Sequence, residues 1–114
     1  MINNTIKGFA MTTKERILKE LEANEAISPN NLSLNTYVAS VGGLSLYIER
    51  VKWLGGEGFT WYVDLMFSKT QVEFDRESLK LYFEKEEEEC VVSIQVKSKE
   101  EAVELAARIV EANS

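Results

Sequence analysis

The ionisable residues of this chain leave few routes to catalysis. Histidine is absent, so acid–base chemistry would have to rest on carboxylates, lysine or tyrosine. Asp64 lies in a segment of alternating apolar and polar residues, and Glu73 and Asp75 follow it. If neighbouring strands brought these carboxyl groups together, the pKa of one of them would rise. The alternation favours a wet sheet face for all three, so we expect no catalytic residue and predict a protein that is not an enzyme.

The remaining groups with chemical potential are an acidic run, a cysteine and the glycines. Residues 84–89, Glu-Lys-Glu-Glu-Glu-Glu, lack the spaced ligands and the glycine of a calcium loop, and they predict a solvated hairpin tip. Cys90 falls on the apolar register of the next segment, where we expect a buried thiol whose pKa is raised by Glu88 and Glu89. The glycines match no phosphate-binding loop. We therefore expect no metal and no cofactor.

The charge and the cysteine content restrict the partners and the compartment. The chain carries 19 acidic and 13 basic residues, for a net charge of −6, and its basic residues are scattered. Nucleic acids and anionic membranes bind clustered Lys and Arg, so we expect neither as a partner. A single cysteine forms no internal disulfide, which favours the cytoplasm. No window approaches the roughly 20 apolar residues of a membrane span.

Two helices are predicted, one near each end of the chain. Thr12 and Glu15 have the spacing of a capping box, and an apolar stripe follows over residues 12–24. Ser98 and Glu101 repeat that spacing before residues 99–112, whose apolar arc is broad and rich in alanine. Such an arc is typical of a helix that lies flat on a sheet.

The segment between the helices predicts an antiparallel sheet of four to six strands. Period-2 alternation over residues 59–68, 71–75, 79–84 and 90–97 indicates half-buried strands. Residues 44–54 fit a helix or a strand, and we favour a strand; Tyr37, Ala39 and Val41 fit one more. The fold class is therefore α+β, with an N-terminal and a C-terminal helix flanking the sheet. Residues 1–10 form a candidate arm, and residues 11–114 form a single domain.

The pattern predicts a face of the sheet that is suited to contact with another protein. If Phe59, Trp61, Val63, Leu65 and Phe67 face the C-terminal helix, the opposite face displays four residues that we predict to bind a partner: Tyr62, Met66, Tyr82 and Val91. Tyr and Met are enriched in interface cores. We expect a protein partner or self-association, unless residues 12–24 or the arm cover this face.

Three functions remain open from the sequence. The first is a non-catalytic protein-interaction module. The second is a small-molecule binder with an aromatic-lined pocket between sheet and helix, which a broad apolar pocket would favour. The third is a carboxylate-based enzyme, which converging carboxyl groups with perturbed pKa values would favour.

Overall fold

A computed structural model describes residues 10–114, except for the side chains of Tyr82 and Phe83. These residues form two α-helices and four β-strands. In chain order the elements are α1 (Thr13–Ile27), β1 (Ser33–Val41), β2 (Leu44–Val51), β3 (Thr60–Asp75), β4 (Lys80–Val96) and α2 (Lys99–Ala112). The predicted α+β fold is confirmed, and the ambiguous residues 44–54 are mainly strand. The candidate arm lies outside the described residues, except for Ala10.

The strands form an antiparallel meander in the order β1-β2-β3-β4. Each connection is a hairpin, as the short gaps between alternating segments predicted. Both helices begin where expected: Thr12 and Glu15 form the complete capping box of α1, and Ser98 accepts a hydrogen bond from the Glu101 N–H at the start of α2. Helix α1 runs to Ile27, past the predicted end at residue 24.

Both helices pack on the same face of the sheet, here called the helix face. The core joins Ile17 and Leu21 of α1, the alanine-rich side of α2, and inward side chains of the strands. These strand residues are Val38, Val41, Leu46, Ile48, Trp61 and Val63. The opposite face, here called the outer face, carries neither α1 nor α2. The alternative in which residues 12–24 cover the outer face is therefore wrong.

Small side chains let α2 approach the sheet closely. Ala102, Val103, Ala106 and Ala107 are all buried, and α2 contacts every strand of the described sheet. An alanine occupies little volume, so the helix backbone can lie near the strand backbones without leaving a void. Leu105 and Ile109 flank this contact and are only partly buried. Helix α2 therefore lies flat on the sheet, but its largest side chains are not its most deeply buried ones.

A buried arginine fastens the end of α1 to the sheet. Arg50 lies on the helix face of β2, pairs with Glu25 at 3.0 Å, and donates to the carbonyl of Pro29 at 3.1 Å. Its guanidinium also lies 4.2 Å from the centre of the Phe59 ring. A buried charge is tolerated when it is paired and hydrogen-bonded, and these contacts supply partners for the two terminal nitrogens, whereas the buried Nε has no hydrogen-bond partner in the described part of the chain. The same arginine therefore fixes both the helix end and the start of β3.

Strands β3 and β4 continue well beyond the rest of the sheet. Strand β2 pairs with β3 only as far as Met66, whereas β3 and β4 stay paired up to Asp75 and Lys80. Residues 67–75 and 80–89 thus form a two-stranded ribbon. From here on, the arm means this ribbon and not the candidate arm of residues 1–10. The radius of gyration is 18.5 Å, against roughly 13 Å for a compact domain of 100 residues. The excess is explained by the arm.

The acidic run does not form the hairpin tip, so that prediction was wrong. Residues 84–89 lie inside β4, and the turn lies at residues 76–79 instead. Asp75 organises the turn: its carboxylate accepts from the Glu77 N–H at 3.0 Å and from the Ser78 hydroxyl at 2.8 Å. The run remains extended because β3 supplies partners, with Lys69 pairing with Glu89 and Gln71 donating to Glu87 at 2.6 Å.

Two irregularities in β4 change which face its residues occupy. Leu65 pairs with Val92 and Met66 with Cys90, so Val91 is the extra residue of a β-bulge. Tyr82 is skipped in the same way between Glu73 and Phe74. The bulge places Cys90 beside Met66 on the outer face, not on the apolar register that strict alternation predicted. Cys90 is exposed, so the expectation of a buried thiol was also wrong.

The core assignment predicts a large difference between two leucine substitutions. Leu46 is 0% exposed and Leu54, in the β2–β3 connection, is 88% exposed. Leu46→Ala should lower the free energy of unfolding by about 2–5 kcal/mol, because it removes buried apolar surface and leaves a cavity. Leu54→Ala should change it by less than about 0.5 kcal/mol. Urea denaturation measures both, and equal effects would contradict the assignment.

Candidate functional site

The outer face presents only some of the four residues that the sequence predicts to bind a partner. Tyr62 and Met66 lie on it, four positions apart on β3, and both are half-buried. Val91 is exposed at the bulge. Tyr82 belongs to the far end of the arm, beside Phe74, so the structure does not bring it together with Tyr62. The predicted set is therefore split between the sheet and the arm.

Two tyrosines that the sequence reading missed complete this surface. Tyr37 of β1 pairs directly with Tyr47 of β2, and their rings meet edge to face, with centres 5.6 Å apart. The next residue across the sheet from Tyr47 is Asp64. Tyr47 lay in the segment whose period fitted both a helix and a strand, and its face was therefore not assigned. If residues 44–54 are assigned to a strand that pairs with β3, Tyr47 falls on the outer face.

A shallow groove runs across this face and encloses about 270 Å³. It is lined by Asn35, Tyr47, Glu49, Asp64, Met66, Glu88, Cys90 and Ser93. Ser93 donates to Asp64 at 2.6 Å, and the Tyr47 hydroxyl donates to Glu88 at 3.1 Å. The lining contains carboxylates and no Lys or Arg, so the groove favours a positively charged group. The second function considered from the sequence placed an aromatic-lined pocket between sheet and helix, whereas this groove lies on the open side of the sheet.

Two carboxyl groups converge in this groove. Asp64 is only 7% exposed, which contradicts its expected position on a wet face. The pKa of Glu49 is raised, first because the group is partly buried and then because of the negative charge of Asp64, while a hydrogen bond from Ser33 acts in the opposite direction. Glu73 and Asp75 lie on the arm and do not join this pair. The sequence analysis favoured a wet face over convergence for Asp64, Glu73 and Asp75, and it did not name Glu49, the residue that lies near Asp64.

The pKa values of a tyrosine and a cysteine in the groove are raised as well. The pKa of Tyr47 is raised by burial and by its hydrogen bond to Glu88. The pKa of the Cys90 thiol is raised by burial and by the charges of Asp64 and Glu49, not by Glu88 and Glu89 as expected. A raised thiol pKa lowers the fraction of thiolate, which is the nucleophilic form. Cys90 is therefore a poor nucleophile in this setting.

Three further searches, for a metal site, for a membrane-spanning helix and for known relatives, do not assign a function to the described residues. Within residues 10–114, no three His, Cys, Asp or Glu side chains are grouped so as to hold a metal ion. In the same part of the chain, no helix has the length and apolar character needed to cross a membrane. Comparison with protein-family models, curated proteins and solved structures finds no match. The groove and the surface around it must be interpreted from their own geometry.

The raised pKa of Glu49 predicts a pH-dependent gain in stability on substitution. A carboxyl group whose pKa is raised by folding stabilises the fold below its ordinary value of 4.5, and this contribution is lost as the pH rises through the folded value. Glu49→Gln should therefore raise the melting temperature at pH 7 relative to wild type, and this gain should shrink towards pH 4. Glu57→Gln, in the exposed β2–β3 connection, is the control and should show no such trend. A gain that is equal at both pH values would contradict the assignment.

Proposed function

We propose that this chain is a non-catalytic protein-interaction module that binds its partner through the outer face of the sheet. The observation that carries the proposal is one-sided packing. Helices α1 and α2 both lie on the helix face, and in the described part of the chain neither covers the tyrosines and the methionine opposite. A sheet face without a cover is normally polar, whereas this one presents large amphipathic side chains.

The composition of the face supports contact with a protein. Tyr37, Tyr47, Tyr62 and Met66 offer large contact areas, and tyrosine loses little conformational entropy on binding. Around them, Asp64, Glu49 and Glu88 supply negative charge without a lining cation. Such a surface fits a partner that inserts a Lys or Arg side chain between the tyrosines, where ring faces and carboxylates both attract a cation.

The arm extends the same surface. Val72 and Phe74 continue the outward register of Tyr62 and Met66, and Leu79 and Leu81 lie at the turn, all with more than half of their surface exposed. Isolated two-stranded hairpins are only marginally stable in water, so an exposed apolar tip gains from burial against another molecule. The arm is therefore a second contact element of the module.

Catalysis has no part in this proposal. The chain contains no histidine, and the pKa of its one thiol is raised in the groove, which lowers the thiolate fraction. The single cysteine also fits a cytoplasmic role. A partner that is a nucleic acid or an anionic membrane would meet three carboxylates in the groove, so we propose neither.

The proposal predicts that the outer face, and not the exposed loop, contacts the partner. A photo-crosslinking amino acid placed at Tyr37 or Tyr62 should give the same crosslinked protein in a native extract, and one placed at Leu54 should not. Tyr37→Ser combined with Tyr62→Ser should weaken binding of the identified partner about tenfold or more, or about 1.4 kcal/mol. Leu54→Ser is the matched control. Unchanged affinity in a folded double variant would refute the interface.

A small cationic ligand is the second candidate, and the groove favours it. Paired carboxylates beside an aromatic ring suit an ammonium or guanidinium group. Benzylammonium, titrated calorimetrically, should then bind the wild type and lose affinity in Glu49→Gln. Binding without any protein crosslink at Tyr62 would favour this candidate over the first.

A further inference from the structure

The described sheet has two edges, and their helix-face layers differ. At β1, the inward residues Leu34, Val38 and Val41 are buried against the core. At β4, the inward residues Val92 and Ile94 remain 38% and 39% exposed. The helix layer thus covers β4 only in part, because α2 contacts this strand least and α1 lies beside α2 on the β1 side. The apolar layer is complete at one edge and unfinished at the other.

A groove follows the unfinished edge. It lies between β4 and α2, encloses about 360 Å³ and is lined by Val96, Leu105, Glu101, Glu104 and Arg108. Val92 and Ile94 continue the line of Val96 along the strand. These three side chains form an apolar strip, and its burial would remove apolar surface from water. Pairing along β4 would satisfy the outward N–H and C=O groups of this edge strand. The edge and the strip therefore form a single docking surface.

Charge limits pairing to one part of β4. Residues 90–96, Cys-Val-Val-Ser-Ile-Gln-Val, carry no charge and are rich in β-branched side chains, which favour strand pairing. Residues 84–89 carry five glutamates, and like charges discourage the pairing of such a run with a copy of itself. The bulge at Val91 also interrupts the regular edge there. The regular, uncharged stretch available for pairing is residues 92–96.

We propose that β4 of a second copy of this chain pairs antiparallel with β4 over residues 92–96. The antiparallel direction follows from charge. It sets Lys97 of one copy opposite Val91 of the other, two residues from Glu89 at the end of the acidic run, whereas parallel pairing would align the two acidic runs. A two-fold axis perpendicular to the sheet keeps the helices of both copies on one side.

Pairing of two copies joins their sheets and extends the apolar layer at the β4 edge. Ile94 lies at the centre of the paired stretch, where it meets its own copy, and Val92 of each chain meets Val96 of the other. Two sheets of four strands become one continuous sheet, with its helices on one face. The pairing does not use the outer face of either copy, so this inference does not depend on the proposed function, and the two can fail separately.

Sedimentation equilibrium of the full chain tests the pairing. We expect a dimer for the wild type at micromolar concentration. Ile94→Lys should raise the dissociation constant at least tenfold, because a charge on the edge strand would be buried opposite its own copy. The matched control is Leu54→Lys in the β2–β3 connection, an apolar residue that is 88% exposed and lies outside both proposed contact surfaces, and it should dimerise as the wild type does. Circular dichroism verifies that each variant is folded.

A second pair of variants keeps the test decisive if Ile94→Lys fails to fold. Lys97→Glu alters an exposed side chain and should weaken the dimer at low salt, with a smaller effect at high salt. Lys52→Glu, also exposed, is its control and should have no effect. A wild type that remains monomeric up to about 100 µM would overturn the proposal. So would a dimer that is lost in Leu54→Lys, or one that is unchanged in both Ile94→Lys and Lys97→Glu.

Discussion

The close packing of the alanine side of α2 on the sheet is the contact on which the rest of this structure depends. Ala102 and Ala106 are fully buried, and the backbone of α2 consequently reaches every strand of the described sheet. This contact buries the side chains of Leu46, Ile48 and Val63 and so makes them part of the core. It also leaves α1 a place beside α2, over β1, so that neither of these two helices covers the outer face and the β4 edge is only partly covered.

One-sided burial gives the remaining surfaces their character. On the outer face, polar and ionisable side chains lie close together at cross-strand spacing, so partial burial and mutual repulsion raise the pKa of Glu49. The face consequently combines negative charge with tyrosine rings, a combination that attracts cations. At the β4 edge the same one-sidedness leaves Val92 and Ile94 half-covered, and an unfinished apolar layer is stabilised by a partner that completes it.

The candidate site could be predicted from the sequence only as far as strict alternation holds. Tyr62 and Met66 were placed correctly because β3 is regular from Thr60 onwards. Cys90 was placed wrongly because one extra residue in β4, Val91, reverses the alternation there, and a bulge leaves little trace in composition. The Asp64–Glu49 pair could not be predicted either, since it depends on the register between β2 and β3.

The sequence by itself determined the α+β class, the two capped helix starts, the antiparallel sheet and the inward direction of Trp61 and Val63. These features depend on local signals: capping residues, the period of the apolar positions and short hairpin gaps. Only the tertiary structure decided that both helices share one face, that β3 and β4 extend into an arm, and that the acidic run stays extended. Those outcomes depend on contacts between residues far apart in the chain, such as Lys69 with Glu89 and Arg50 with Glu25, whose energies no local pattern encodes.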